Sequence, residues 1–364
     1  MRHCHIAMSY LEPGNSAILA GLALRAHAGE LRLTQELRPI PAPLDSGPWH
    51  LRNKAESGLR LVLDDRVSAY VDVHDSWEID TPEYEANDLY FKRSLDLQRF
   101  PVHLHPKLRP LGLLNDVRLD GIDIWEARRI LAQALPVHQR VAALLRHMAE
   151  VAAATVNLGP RPNLRLLNAP PDVTQPPRVL FMAGLWDPSC IPEDSSAKTA
   201  EFVAINETRA SCVRQLRREF GSHFYGGVQH SAFARNHYPD VLLPQSGASS
   251  KRAYIRRVRD FPICIATTGL HGSNGWKLAE YVGLSRSIVS EPPHYEVPGG
   301  FKAASHYLEF HSPETCVEQA ARLMEDHDLR IAQMQANHAY HASWMHPHVL
   351  TGRILDSMAG AHSG

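Results

Sequence analysis

Residues 269–292 read GLHGSNGWKLAEYVGLSRSIVSEP and carry the strongest structural signal in this chain. The apolar run just before them, Ile263 to Ala266, is typical of a buried strand, and it opens into a loop that contains three glycines. A helix is predicted to begin near Gly275, and a second β-branched strand is predicted at residues 287–290. The sequence therefore predicts a strand–loop–helix–strand unit.

The loop and the start of this helix form a candidate anion site. Backbone N–H groups at a helix N-terminus have no partner inside the helix and lie at the positive end of its dipole. Lys277 in the first turn adds positive charge, and Glu280 follows on the same face. Lys277 would suit a phosphate, and Glu280 would suit two adjacent ribose hydroxyls. A ligand with both features is a nucleoside diphosphate-sugar. The predicted loop contacts are Gly269, Gly272, Ser273, Asn274 and Gly275.

At these residues the chain resembles the donor-binding half of GT-B glycosyltransferases, especially bacterial family 1, family 4 and CgeB-like enzymes. In that pattern a helix bearing glutamate precedes a strand, as KLAEY at 277–281 and SIVSEP at 287–292 do here. The resemblance covers about residues 178–350. It implies an α/β fold in which two Rossmann-like domains face each other across a cleft, and a C-terminal helix crosses back to the N-terminal domain. Retaining enzymes carry a second glutamate eight positions earlier, where this chain has Gly272.

A proline-rich segment at residues 159–177 marks the predicted domain boundary. A chain of 364 residues fits two domains. We predict an acceptor-side α/β domain at 1–165, a nucleotide-sugar-binding α/β domain at 178–345 and a returning helix at 346–364. Beyond the boundary, strands alternate with helices, which predicts a parallel, doubly wound sheet.

The N-terminal third is less regular. Short β-type runs predict strands at 61–63, 69–73 and 102–104, and the spacing changes to a helical period from Ile122 to about Ala153. Asp75 closes the sequence Asp-Val-His-Asp that begins at residue 72, at the predicted end of a strand. There it is a candidate base for an acceptor hydroxyl. The same residues also fit a DxD-like metal motif, with 64–65 as a competitor, or ordinary turn carboxylates.

Arg209 is a further candidate contact to the nucleotide diphosphate. It lies three residues after Asn206 on a predicted helix at 202–220, and its charge would stabilise the leaving diphosphate where other enzymes use a metal. A solvated helix face is the alternative interpretation. The His3/His5 and His103/His105 spacings have no second ligand pair, so no metal site is predicted.

Composition narrows the function classes. The 38 Lys and Arg balance 39 Asp and Glu. The chain therefore has no net positive charge that would attract nucleic acid or an anionic membrane surface. Five scattered cysteines, no long apolar run and no signal peptide predict a cytoplasmic protein with reduced thiols and no transmembrane segment. Neither GxGxxG nor a Walker loop occurs, which argues against NAD and P-loop nucleotides.

These observations predict a bacterial hexosyltransferase-type glycosyltransferase of polysaccharide biosynthesis. It would move a sugar from a UDP- or GDP-linked donor to a hydroxyl of a glycan, lipid-linked or small-molecule acceptor, without a metal or other cofactor. Two alternatives stay open. One is a nucleotide-sugar epimerase of the same double fold. The other is a non-catalytic glycosyltransferase-like subunit, for which Gly272 in place of glutamate is the sequence signal.

Overall fold

The protein consists of two compact α/β units. A computed structural model describes residues 1–8, 13–37, 58–117, 136–155, 164–191, 196–246 and 251–361. Unit 1 comprises Met1–Arg165, Tyr295–Pro298 and Ala342–Gly364, and unit 2 comprises Leu166–His294 and Gly299–His341. The predicted α/β class is confirmed.

The described strands and helices are numbered here in chain order. The strands are β1 (Arg2–Met8), β2 (Leu31–Leu37), β3 (Leu59–Leu63), β4 (Val67–Asp72), β5 (Leu89–Lys92), β6 (Leu108–Pro110), β7 (Val179–Ala183), β8 (Phe224–Val228), β9 (Ile263–Ala266), β10 (Ser287–Ser290) and β11 (Leu308–Glu309). The helices are α1 (Ser16–His27), α2 (Thr81–Ala86), α3 (Val137–Thr155), α4 (Leu164–Leu167), α5 (Ser196–Phe220), α6 (Ala232–His237), α7 (Lys251–Asp260), α8 (Trp276–Gly283), α9 (Pro313–Glu325), α10 (His327–Tyr340) and α11 (Pro347–Ala361).

Unit 1 is built on a mixed six-stranded sheet in the order β2-β1-β3-β4-β5-β6. Strand β3 runs antiparallel to β1 and β4, while the other neighbouring pairs are parallel. Alternate side chains of β3 are buried, from Leu59 through Leu61 to Leu63. One face of this strand therefore belongs to the core.

The C-terminal helix α11 belongs to unit 1 and packs against α1, which confirms the predicted return of the chain. A Cβ atom on Gly21 would lie 2.1 Å from the carbonyl oxygen of Pro347, so glycine permits this close approach. Arg25 of α1 donates from Nη2 to the carbonyl oxygen of His348 over 2.8 Å. Backbone contact and a side-chain hydrogen bond together fix the two helices.

Unit 2 contains a five-stranded, entirely parallel sheet in the order β11-β10-β9-β7-β8. Strands β7, β9 and β10 are buried at every position. Their short sequences VLFMA, ICIA and SIVS are rich in apolar and β-branched residues, as expected for central strands covered on both faces. The predicted doubly wound sheet and the strand–loop–helix–strand unit are both confirmed.

Three predictions from the first half of the chain need correction or restriction. Residues 102–104 lie in a 3₁₀ helix, Val102–Lys107, rather than in a strand; Pro101 and Pro106 flank them and interrupt any ladder on either side. Of the predicted helix at 122–153, the part from Val137 onward is observed as α3, which begins after Pro136, and residues 118–135 lie outside the described residues. The short helix α4 lies inside the proline-rich segment, where no helix was predicted.

Candidate functional site

Parallel α/β sheets bind ligands at the carboxyl ends of strands, where connections leave in opposite directions. In unit 2 this switch point lies between β7 and β9, because the chain passes from β7 to β8 on one side and from β9 to β10 on the other. The residues that follow the two strands are Gly184, after β7, and Thr267 and Thr268, after β9. They mark the carboxyl ends of the two strands that border the switch point.

Arg209 of α5 joins these two strand ends. Its Nη1 donates to the Gly184 carbonyl over 2.8 Å, its Nη2 to the Thr268 carbonyl over 2.8 Å, and its Nε to Thr267 Oγ1 over 3.1 Å. Burial lowers the pKa of Arg209 to about 10, against the opposing charge of Glu291. The guanidinium therefore stays charged at neutral pH, and it places a fixed positive charge at the switch point.

Asn206 lies near Arg209 on the same helix face and binds the backbone of Trp186. Its amide Oδ1 accepts from the Trp186 N–H over 2.9 Å, and its Nδ2 donates to the Trp186 carbonyl over 2.7 Å. Asn206 is fully buried. It therefore fixes the loop after β7, which is a structural role.

The loop between β9 and α8 contains a left-handed turn. His271 and Gly272 have φ angles of 59° and 66°. A Cβ atom on Gly272 would also approach His294 Cδ2 to 3.2 Å. A glutamate at position 272 would therefore be strained and crowded, which gives a physical reason for glycine where the retaining pattern has a carboxylate.

Gly275 lies at the start of α8 and packs against the end of β9. A Cβ atom there would lie 2.7 Å from the carbonyl oxygen of Thr267. Gly275 occupies the N-cap position without a side-chain cap, so the first backbone N–H groups of α8 have no side-chain cap acceptor from it. The predicted helix start is confirmed by the observed helix, Trp276–Gly283.

Some loop N–H groups already have acceptors inside the protein. The Gly269 N–H donates to the Ser273 carbonyl over 2.9 Å, and the Ser273 N–H donates to the Leu270 carbonyl over 3.0 Å. The His271 N–H donates to Glu201 Oε1 of α5. Glu201 thus anchors this loop, a contact that the sequence pattern did not indicate because the two residues are 70 positions apart. Ser273 and Asn274 are buried at 2% and 5% exposure.

A cavity of about 210 Å³ lies over β7 between α7 and α8. It gathers Lys277 and Glu280 from the predicted set, whereas the loop residues 269–275 are not among its described lining residues. The walls combine ammonium groups, one carboxylate and aromatic rings. The described lining residues are Met182, Gln229, Lys251, Tyr254, Trp276, Lys277 and Glu280.

Lys277 is the most perturbed cation of this cavity. Desolvation, together with the nearby positive charges of Arg209 and Lys251, lowers its pKa to about 8, against the attraction of Glu280. Its Nζ lies 5.8 Å from the centroid of the Tyr254 ring, and the Nζ of Lys251 lies 5.7 Å from the same centroid. Both lysines thus lie close to one aromatic ring, an arrangement that a bound anion would stabilise.

Glu280 is buried at 4% exposure and forms an ion pair with Lys251 of α7 through Oε1. A carboxylate offers about four lone-pair sites. The pairing therefore uses only part of the hydrogen-bonding capacity of Glu280. Lys251 is a cavity residue that sequence reasoning missed, although the basic character of residues 251–259 was visible.

In unit 1, Asp72 is the centre of a buried polar network at the carboxyl end of β4. Its Oδ2 accepts from Lys92 Nζ over 2.8 Å and from the Tyr90 hydroxyl over 2.7 Å. Its Oδ1 accepts from the His74 N–H over 2.9 Å and lies 3.1 Å from His74 Nδ1. Burial acts to raise the pKa of Asp72, but the charge of Lys92 and the hydrogen bond with His74 outweigh it and hold that pKa well below its usual range.

Asp75, the predicted acceptor base, follows this network. Its Oδ1 pairs with Nη1 of the buried Arg93, and the Asp75 side chain keeps 26% exposure. Arg93 follows β5, so the pair joins the ends of two neighbouring parallel strands. Asp75 is therefore a partly accessible carboxylate, held in place by a cation.

No protein family model matches the sequence, and no curated protein matches it either. Among solved structures, the chain is similar to a protein from Listeria monocytogenes assigned as a UDP-N-acetylglucosamine 2-epimerase, with 11% identity, a TM-score of 0.45 and coverage of 98% of this chain and 96% of that one. It is also similar to WaaG, a glycosyltransferase involved in lipopolysaccharide biosynthesis (12% identity, TM-score 0.41, coverage of 97% and 98%). A third similar structure is S. aureus MnaA with UDP (10% identity, TM-score 0.41, coverage of 100% of this chain and 97% of that one). At these TM-scores, function is inferred from the site itself.

None of the described helices combines the length and the apolar character needed to span a bilayer.

Proposed function

We propose that this protein is a glycosyltransferase that binds a nucleoside diphosphate-sugar in unit 2 and transfers the sugar to an acceptor hydroxyl. The observation that carries the proposal is the cavity beside the sheet switch point, where Lys251 and Lys277 face one buried carboxylate, Glu280. Two ammonium groups suit a diphosphate, and a carboxylate suits vicinal ribose hydroxyls. The cavity has a volume of about 210 Å³, and we propose that it takes the ribose and phosphate part of such a donor.

The proposed reaction uses side-chain cations to stabilise the departing nucleoside diphosphate. Arg209 is close enough to lower the pKa of Lys277, and hydrogen bonds to the ends of β7 and β9 hold its guanidinium in place. Preorganised positive charge at the leaving group lowers the barrier without a metal. We therefore propose a metal-independent transfer, with a glycan, lipid-linked or small-molecule acceptor and no further cofactor.

A panel of UDP- and GDP-sugars tests the proposal. The protein is incubated with each compound, with and without EDTA, and both nucleotide release and sugar identity are followed. Slow nucleotide release that persists in EDTA supports a metal-independent transferase. Interconversion of the sugar without nucleotide release would instead identify an epimerase, and binding without turnover would identify a non-catalytic subunit.

Replacing Lys277 with methionine is expected to erase most of the preference for nucleoside diphosphate over monophosphate. Methionine keeps the length and apolar stem of lysine but lacks the charge that attracts the second phosphate. Since the pKa of Lys277 is about 8, the charged form of the free protein declines above that pH. Diphosphate affinity of the unaltered protein is therefore expected to fall between about pH 7 and 9, whereas the affinity of Lys277→Met stays flat. Isothermal calorimetry measures both effects.

The exposed Lys302 provides a matched control for this experiment. Lys302→Met removes the same charge from unit 2 and is expected to leave the diphosphate preference unchanged. An equal loss of affinity for nucleoside, monophosphate and diphosphate in Lys277→Met would contradict the assignment. It would show that the substitution disturbs the start of α8 rather than a phosphate contact.

Replacing Glu280 with alanine is expected to weaken nucleoside diphosphate binding by about 1.5–3 kcal/mol, the range for hydrogen bonds to a charged group. The reason is the loss of the carboxylate that accepts from the ribose hydroxyls. A 2′,3′-dideoxynucleoside diphosphate lacks those hydroxyls. It is therefore expected to bind more weakly than the ribonucleotide to the unaltered protein and equally well to Glu280→Ala.

The Lys251→Met variant tests whether Glu280 binds the ribose or serves only as the ion-pair partner of Lys251. The variant removes the partner of Glu280 but keeps the carboxylate, so it is expected to retain discrimination between the ribose and dideoxyribose nucleotides. If Lys251→Met loses that discrimination as completely as Glu280→Ala does, the carboxylate serves to hold Lys251. In that case the ribose assignment is wrong.

A further inference from the structure

A second cavity lies in unit 1, between the C-terminal helix α11 and the edge of the sheet at β5 and β6. Its volume is about 490 Å³, which falls in the range of about 300–1,000 Å³ typical of small-molecule sites. Every described lining residue belongs to unit 1, and none takes part in the proposed donor site. The described lining residues are Phe91, Arg109, Pro110, Leu111, Leu350, Arg353, Ile354, Asp356 and Ser357.

One stripe of α11 that lines this cavity is apolar except at two positions. Leu350, Arg353, Ile354 and Ser357 follow the i, i+3, i+4, i+7 spacing of a helix face that packs on a core. Leu350 and Ile354 are buried at 1% and 2% exposure. At the other two positions the chain has an arginine and a hydroxyl. Both residues are only half-buried, so their polar groups border the cavity rather than the core.

The strand wall repeats this combination of apolar and cationic groups. Phe91 of β5 and Arg109 of β6 are register partners in the parallel ladder. Phe91 is buried, and the Arg109 side chain donates from Nη1 to the carbonyl of Leu108 over 2.8 Å. Each wall of the cavity therefore combines apolar side chains with one guanidinium.

Arg353 is held in place beside the cavity. Its Cζ lies 4.4 Å from the centroid of the Trp344 ring, and its Nη2 donates to the Trp344 carbonyl over 3.2 Å. Stacking orients the guanidinium plane and reduces the entropy lost when it binds an anion. The acidic lining residue, Asp356, has a side chain at 79% exposure and lies 3.5 Å from Arg2. The described walls thus carry net positive charge.

We propose that this cavity binds a small amphipathic anion. The apolar body of the ligand lies on Phe91, Leu111 and Ile354, and its phosphate or carboxylate group is held by Arg109 and Arg353. Guanidinium groups bind both kinds of anion with paired hydrogen bonds, so the shared chemistry is an anionic head on an apolar body. The site is independent of the proposed sugar transfer.

Calorimetry with four ligands tests this site on the full-length protein. Octyl phosphate and octanoate carry both features, octanol lacks the charge, and inorganic phosphate lacks the apolar body. At least one of the two amphipathic anions is expected to bind at least ten-fold more tightly than octanol and inorganic phosphate. The tighter of the two identifies the head group as phosphate or carboxylate. Equal affinity of octanol, or no binding of either anion, would overturn the proposal.

Substitutions locate the binding to this cavity. Arg109→Met and Arg353→Met are each expected to weaken the anion by about ten-fold or more, as for lost hydrogen bonds to a charged group. The exposed Arg66 of the same unit is the control, and Arg66→Met is expected to have no effect. Ser357→Phe fills the space while both arginines remain, and it is expected to abolish binding. Undiminished binding in Ser357→Phe, or an equal loss in Arg66→Met, would show that the anion binds elsewhere.

Discussion

Replacing Asp72 with asparagine is expected to destabilise the protein by about 3–5 kcal/mol, the cost of removing one partner from a buried ion pair. Asp72 and Lys92 have side-chain exposures of 1% and 0%. Asparagine keeps the shape of the side chain but leaves the ammonium of Lys92 buried without its counter-charge. Urea denaturation, followed separately by signals from each unit, measures the loss of free energy of unfolding.

The double variant Asp72→Asn/Lys92→Met is the control for this prediction. It removes both charges, so it is expected to recover most of the stability that the single variant loses. A loss below about 1 kcal/mol in the single variant would contradict the assignment of Asp72 as the charge partner that Lys92 requires.

The contribution of Asp72 also predicts a pH dependence. Its pKa in the folded protein is lower than its ordinary value of about 4. The folded state therefore favours the carboxylate, and the stabilisation is fully present above about pH 4 and is lost as the pH falls below that value. The difference in free energy of unfolding between the unaltered protein and Asp72→Asn is expected to shrink on acidification.

Local sequence signals predicted the core of unit 2 well. The runs at 263–266 and 287–290 are short, apolar and β-branched, and the glycines between them leave few alternatives to a loop before a helix. Signals of this kind depend on neighbouring residues.

In unit 1 the sequence signals were weaker. Strand β1 alternates basic and apolar residues, and His3 and His5 lie on its more exposed face. Each of these histidines has a ring nitrogen about 3 Å from Thr34 Oγ1. Strand alternation therefore accounts for their spacing.

The hydrogen-bond and ion-pair partners of the site residues could not be predicted from the sequence. Arg209 donates to Gly184, Thr267 and Thr268, which are separated from it by 25, 58 and 59 positions. Lys251 and Glu280 pair across 29 positions. Which side chains meet depends on how helices pack on the sheet, and no periodicity within one helix specifies that packing. The residue types were therefore predictable as candidates, while their pairings required the fold.

Asp75→Asn is expected to reduce sugar transfer by about 10²- to 10⁴-fold, the range for removing a general base, while donor affinity stays unchanged. The proposal rests on position and accessibility. Asp75 lies just beyond the carboxyl end of β4, the kind of position where α/β sheets bring chemistry together, and its carboxylate is partly exposed beside Arg93. Gly272, with its left-handed φ and its approach to His294, stands where retaining enzymes carry a glutamate. We therefore propose an inverting transfer, which requires a base. Asparagine cannot accept the acceptor proton.

Three measurements decide whether Asp75 has this role. Donor affinity by calorimetry shows whether donor binding is intact, and a thermal melt shows whether unit 1 stays folded after the ion pair with Arg93 is lost. The pH dependence of kcat/KM reports the base, whose acid limb is expected to vanish in Asp75→Asn. His74→Gln is the neighbouring control, because His74 contacts Asp72 and lies one residue away. If Asp75→Asn keeps full activity while His74→Gln loses it together with the acid limb, the proton is taken by the imidazole that Asp72 orients.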